Sequence, residues 1–441
     1  MIGEKSEQTN IFQMVTMEDL VPENYFYRKV NRVIDFSFIR ELVKDKYCAD
    51  NGRPSAAPET IMRIMLIGYF ENFSELRLWN ELQMHAGYRW FCKLEFNDLV
   101  PDRSTWIKTR QRWGMEVFDL IFRRIVEQCI QSGLVKGNLV AIDGTQVEAN
   151  AAVTSLEAIT PVVSIDEYLN RLQMEPTKAT DDKSEKPARS SGDPDFRGEK
   201  FSNQTHRSTT DPDARLYRKN SAHEAKLSYL VHDALDVRSG VILDTEATLA
   251  HGRAERETAI EFLERLGRNV FALMDKNYRA GEFLHKLRHQ GIHPLVSMDS
   301  LDFEVVPVWK RRTFKLDCYR RRHNLFNEIK ARNYARRLNR KRVFSKTYKL
   351  RIKIEHKFAE AKECHGLDRA RGYGLENMKI QARLTATVQN IKRLVRHLTR
   401  SKPNKATGVQ TTAVRFKEGF SVFKVLPFFS FSVSNFGLDL V

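Results

Sequence analysis

The sequence predicts an α/β domain preceded by an all-helical one, and three observations carry that prediction. Up to about residue 133 the apolar residues recur only at helical spacing. From Asn138 onward, short unbroken apolar runs appear, such as Leu139–Ile142 and Val270–Met274, which suit buried strands. Those runs then alternate with helical stretches, the order of an α/β sheet. The length, 441 residues, suits two or three domains at roughly 150 residues each, and a 41% apolar content is enough for a full core.

The elements follow in order. Residues 1–37 read as irregular or partly helical. Pro58 opens a helix with Ile61, Met62, Ile64, Met65 and Ile67 at helical spacing, and Ser74 caps a second that runs to Met84. Pro101 and Asp102 form a turn, Ser104 begins a helix to Trp113, and a long helix from Met115 to Ser132 stops at Gly133. In the α/β part, strands start at Leu139, Leu227, Gly240 and Val270, with a hairpin turn around Arg238–Gly240 and a further short strand at HPLVSM. Helices are expected over Ala254–Arg268, Arg279–Gln290 and most of Tyr348–Thr399, the last broken near Gly366–Gly374. Glu175–Arg215 holds no Val, Ile, Leu or Met, so it cannot offset its ordering entropy and reads as a loose insert, with its end ordered. The boundaries are therefore a helical domain at 1–133, an α/β domain at 134–400 with an insert at about 160–208 and a basic insertion at about 300–346, and a phenylalanine-rich tail at 401–441, read as a packed strand or a contact between copies.

Chemistry gathers at three acids. Asp143 and Asp275 each end an apolar strand, the place where ligands collect in open α/β sheets. Parallel neighbouring strands would bring both carboxylates together, and converging carboxylates need a cation such as magnesium or manganese. A third acid comes from YKLRIKIEHKFAEAK. At about 100° per residue, Tyr348, Arg351, Glu355 and Lys362 fall within an arc of about 60°. Leu350, Ile354, Phe358 and Ala361 line the adjoining apolar face, so a polar stripe can point into the site. Glu360 falls on the far side, which favours Glu355.

The basic surplus is concentrated. The net charge is +17, and residues 310–349 hold 16 lysines and arginines against Asp317 and Glu328. Aromatics, among them Trp309, Phe326 and Tyr334, are interleaved with these cations. Such a strip, including Arg336, Arg337, Arg340, Lys341 and Arg342, can follow a phosphate backbone. Five scattered cysteines, none spaced CxxC, point to reduced thiols and a cytosolic location. No signal peptide or membrane span is legible. His285, His289 and His293 mimic a metal face, but Gly291 breaks the helix, so a solvated helix end is expected. No phosphate loop for ATP is present.

The acids and their surroundings also resemble a family. AIDGTQVEANA around Asp143, LMDKNY around Asp275 and the Y-x2-R-x3-E-x6-K spacing of Tyr348, Arg351, Glu355 and Lys362 resemble blocks of bacterial insertion-sequence DDE transposases. Met274 and Asn277 depart from that family's usual residues without replacing the acid. STTDPDARLYRK, HGLDRARGYG and the N-terminal GRPSAAPETIMRIMLIGYF are also similar, so the likeness runs from about Gly52 to Leu398. It implies an RNase H-like catalytic domain (a mixed sheet with flanking helices) in which Asp143, Asp275 and Glu355 hold two Mg²⁺ or Mn²⁺ ions. It further implies cleavage of double-stranded DNA at terminal inverted repeats and strand transfer into target DNA. Tyr348, Arg351 and Lys362 would contact the DNA end, in a homodimer on DNA in the bacterial cytosol, associated with the nucleoid. A nuclease without strand transfer and an inactive DNA-binding derivative are the other readings.

Overall fold

The computed structural model describes residues 14–48, 55–159, 202–218, 224–305 and 316–400. Most of the low-complexity insert, part of the basic insertion and the whole phenylalanine-rich tail lie outside them.

The N-terminal part is helical: α1 (Met17–Leu20), α2 (Phe26–Val33), α3 (Phe38–Val43), α4 (Pro58–Phe70), α5 (Glu75–Met84), α6 (Ala86–Phe91) and α7 (Arg103–Gln131). Pro58 occupies the first turn of α4, where its missing N–H costs nothing. Ser74 accepts the Arg77 N–H and so caps α5. The expected start at Ser104 is one residue late, because Asp102 caps α7 by accepting the Ser104 N–H. The two helices expected around Trp113 and Met115 join at a kink. Gly114 has φ 66° and ψ 175°, a region essentially reserved for glycine.

The α/β part begins with β1 (Leu139–Glu148), then β2 (Leu156–Ala158), β3 (His206–Ser208), β4 (Arg215–Tyr217), β5 (Lys226–Asp236) and β6 (Val241–Leu249). There follow α8 (Ala254–Leu266), β7 (Phe271–Met274), α9 (Gly281–His289), β8 (His293–Val296), α10 (Leu316–Asn339), α11 (Arg342–Tyr348), α12 (Ile352–His365) and α13 (Leu375–Arg400). The sheet runs β4-β5-β1-β7-β8, with β6 also paired to β5. β1, β7 and β8 are parallel, whereas β5 is antiparallel to β1, β4 and β6, so the sheet is mixed. β2 and β3 form a separate ribbon, which places the end of the insert in ordered structure.

Residue alternation sorts the sheet into two faces. Val140, Ile142, Ala234 and Met274 pack with Phe262 and Leu263 of α8 and Phe283 and Leu284 of α9. Ala141, Leu235 and Leu273 pack on the other face with Ile354 and Phe358 of α12 and Phe122 of α7. α13 serves both halves. Its Ile380, Leu384, Val388 and Ile391 join the core that contains Tyr27, Ile64 and Trp113, and its Arg383 is ion-paired at 3.0 Å with Asp119 of α7 and with Asp244 and Glu246 of β6.

Three expectations change. Asp143 does not end its strand, because β1 continues to Glu148 along β5 after its parallel partner β7 has stopped. The helix carrying the polar stripe is not continuous: a 3₁₀ turn at Lys349–Arg351 separates α11 from α12 and leaves Leu350 36% exposed. His293 belongs to the strand expected at HPLVSM, β8, and so stands apart from the solvated helix end read for His285, His289 and His293 together. Its ring stacks on Phe271, and its Nδ1 lies 2.6 Å from the Tyr334 hydroxyl.

Candidate active site

The register of two strands sets the geometry. Ala141 of β1 is level with Leu273 of β7. Asp143 and Asp275 each lie two residues further on, so they stand at one level and, by alternation, on the face covered by α12. The Gly144 N–H donates to Asp143 Oδ1 at 2.9 Å. Arg351 donates to Asp143 Oδ2 at 2.9 Å and also to the Glu355 carboxylate. Burial pushes the Asp143 carboxyl above its ordinary range; Asp275 and Glu355 add to this, while the Gly144 N–H and Arg351 oppose it. For Arg351, burial works against its charge, but Asp143, Glu355 and Asp275 more than hold it.

The rest of the stripe reaches the same two strands. The Tyr348 hydroxyl donates to the Met274 carbonyl at 3.2 Å, and Lys362 Nζ donates to the Gln146 carbonyl at 2.7 Å. The 3₁₀ turn therefore breaks the helical count without turning these residues away. Glu360 lies elsewhere, ion-paired with Lys357 at 2.7 Å and Lys392 at 2.9 Å.

The donor set suits a hard cation, since three carboxylates already share one positive charge. That charge is the Arg351 guanidinium. Among the described residues, no three His, Cys, Asp or Glu side chains stand close enough as placed to hold one ion. The chemistry fits a divalent metal, and as placed Arg351 occupies two of the three acids.

The basic flank divides in two. Arg337, Arg340 and Arg342 are exposed and Lys341 is half-buried. Arg336, expected in the open strip, is instead buried and ion-paired with Glu304 at 2.7 Å. Packing against the 300–304 segment removes it from the outer surface. Arg340 donates to the Leu301 carbonyl at 2.6 Å and lies over the Phe303 ring.

Two neighbours escaped the sequence reading. Asp233 is directly across the ladder from Asp143 and is 4% exposed. Its parity with Leu235 in an apolar strand was the available signal. Glu255, in the first turn of α8, approaches β1 at Gly144 from the other face. Nothing local to its helix distinguishes it from Glu257.

Motifs far apart in sequence also meet. Asp211 accepts from the Tyr229 hydroxyl at 2.7 Å and from the Gly374 N–H at 3.1 Å. Asp213 accepts the Leu375 N–H at 3.0 Å at the start of α13.

A mixed sheet with level acids, a carboxylate-bearing helix and a cationic flank defines a carboxylate-centred protein suited to a polyanionic substrate. Two family models match the chain: Transposase domain (DUF772) over residues 15–112 and Transposase DDE domain over residues 201–391, together about two thirds of its length. The chain belongs to the insertion-sequence DDE transposases. The second match includes Asp275 and Glu355, whereas Asp143 precedes it. No curated protein and no solved structure matches the chain. Among the described residues, no helix is long and apolar enough to cross a membrane.

Proposed function

We propose that this transposase cuts double-stranded DNA at element ends and joins the freed 3′ ends to target DNA, using an RNase H-like domain with Asp143, Asp275 and Glu355 as its acids. The observation that carries this reading is the level placement of Asp143 and Asp275 beneath the Arg351–Glu355 pair. The three acids would hold two Mg²⁺ or Mn²⁺ ions. When bound, these ions supply an activated water and stabilise the leaving 3′-oxygen. Arg351 moves from the carboxylates to a phosphate of the DNA end, a bidentate exchange that its planar fork permits. Lys362 and Tyr348 hold neighbouring parts of that end. Arg337, Arg340, Lys341 and Arg342 follow the backbone beyond it. Two ends to be cut call for two protomers on DNA.

Asp143→Asn, Asp275→Asn and Glu355→Gln should each abolish Mg²⁺-dependent nicking of a labelled element end while retaining DNA binding. A variant that still nicks removes its residue from the site. Nicking without joining to target would reduce the protein to a nuclease.

A further inference from the structure

β1 outruns β7. Pairing between them ends at Ala141 and Leu273, yet β1 continues to Glu148, where it bridges to Arg369. Past Asp275 this leaves residues 143–147 of β1 without a β7 partner. Glu355 arrives from the α12 face. From the α8 face comes Glu255, in the first turn of a 13-residue helix.

The approach is close. A Cβ built on Gly144 would lie 3.3 Å from Glu255 Oε1 and 2.8 Å from His232 Nδ1, so only glycine lets both side chains rest against the residue after Asp143. A second observation points to the same place. The Tyr278 hydroxyl is buried without a hydrogen-bond partner, and burial first, then the negative charges of Glu255, Asp143 and Asp275, push it up from the ordinary phenol range. His232 Nδ1 is buried and unpartnered against Gly144, its other nitrogen lying 2.9 Å from Thr248 Oγ1. Two unsatisfied buried polar groups beside an acid call for a ligand or water that completes them.

We propose that Glu255 is a fourth carboxylate of the metal centre, entering beside this stretch of β1 from the face opposite Glu355, with Tyr278 and His232 positioning it. This rests on the reading of Asp143 and Asp275 as metal ligands. Oxygen donors from both faces would enclose a hard cation more fully than three acids from one side. Tyr278 can donate to a carboxylate oxygen, which would orient the donor set.

The test measures Mn²⁺ binding to the full chain without DNA, by the loss of the free-ion EPR signal. Glu255→Gln should weaken binding about tenfold or more at an unchanged melting temperature. Glu257→Gln, an exposed neighbour on the same helix, should bind as wild type. Asp143→Asn serves as the reference. If Asp143→Asn weakens binding and Glu255→Gln does not, the fourth carboxylate is overturned and the three-acid site stands. If neither weakens binding, both readings fall. An equal loss in Glu257→Gln would reduce the effect to general surface charge and overturn the proposal as well.

Discussion

Asp233 shows what a residue beside the candidate site costs the fold. It faces Asp143 across the ladder, and burial pushes its carboxyl up to about 7. In the unfolded chain an aspartate titrates near 3.9, about three pH units lower. The folded state therefore holds this proton more tightly, and its contribution to stability falls as pH rises from about 4 to about 7. The slope is at most roughly 1.4 kcal/mol per pH unit and flattens above that window. Asp233→Asn should remove the slope, so urea melts at pH 4.5 and 7.5 should show the variant gaining on wild type at the higher pH. An equal stability difference at both pH values would mean that this carboxyl does not titrate there.

At the scale of elements, the kink in α7 and the outrunning of β7 by β1 matter most. Gly114→Ala would place a side chain in backbone space that only glycine occupies comfortably, at a cost of about 1–3 kcal/mol. Denaturant melts should show that loss, and an unchanged midpoint would mean the helix simply straightens. Elements with strong local signals were legible in the sequence: the apolar runs of β1 and β7, the hairpin at Arg238–Gly240, and the capped start of α5. What was not legible depends on partners distant in sequence. β1 looks complete at Asp143 until β5, more than eighty residues later, pairs with it through Glu148. The 3₁₀ turn at Lys349–Arg351 lies inside a stretch whose periodicity is helical, so no local signal marks it. Likewise, Arg336 reads as one more exposed cation until Glu304 is seen to meet it. Among the acids, Asp143, Asp275 and Glu355 could be picked out from the ends of apolar runs and a helical stripe. Asp233 carries only its parity with Leu235 as a signal, and Glu255 carries none, because pairing of β5 with β1 and the docking of α8 bring them near.

For the whole molecule, the last described helix ties the two parts together. Arg383 is 3% exposed and stands among Asp119, Asp244 and Glu246. Replacing it with Met would remove the one cation shared by all three acids, leaving Arg123 on Asp119, Arg265 on Asp244 and Lys379 on Glu246, a loss of about 1–3 kcal/mol. A thermal melt of the variant is the direct check, and a wild-type midpoint would show those acids to be solvated. Four of the five tryptophans, Trp79, Trp90, Trp106 and Trp113, lie in the helical part. Because α13 contributes to both cores, their fluorescence transition should coincide with the loss of far-UV ellipticity, and two separated transitions would contradict a shared core. The same helix bears on synthesis. Ile380, Leu384, Val388 and Ile391 complete a core begun by Tyr27 and Ile64, so a ribosome must translate more than three hundred further residues before the earliest helices gain their final packing. Contacts of such long range form late and slowly, and a nascent chain would have to carry its unfinished N-terminal half until α13 emerges.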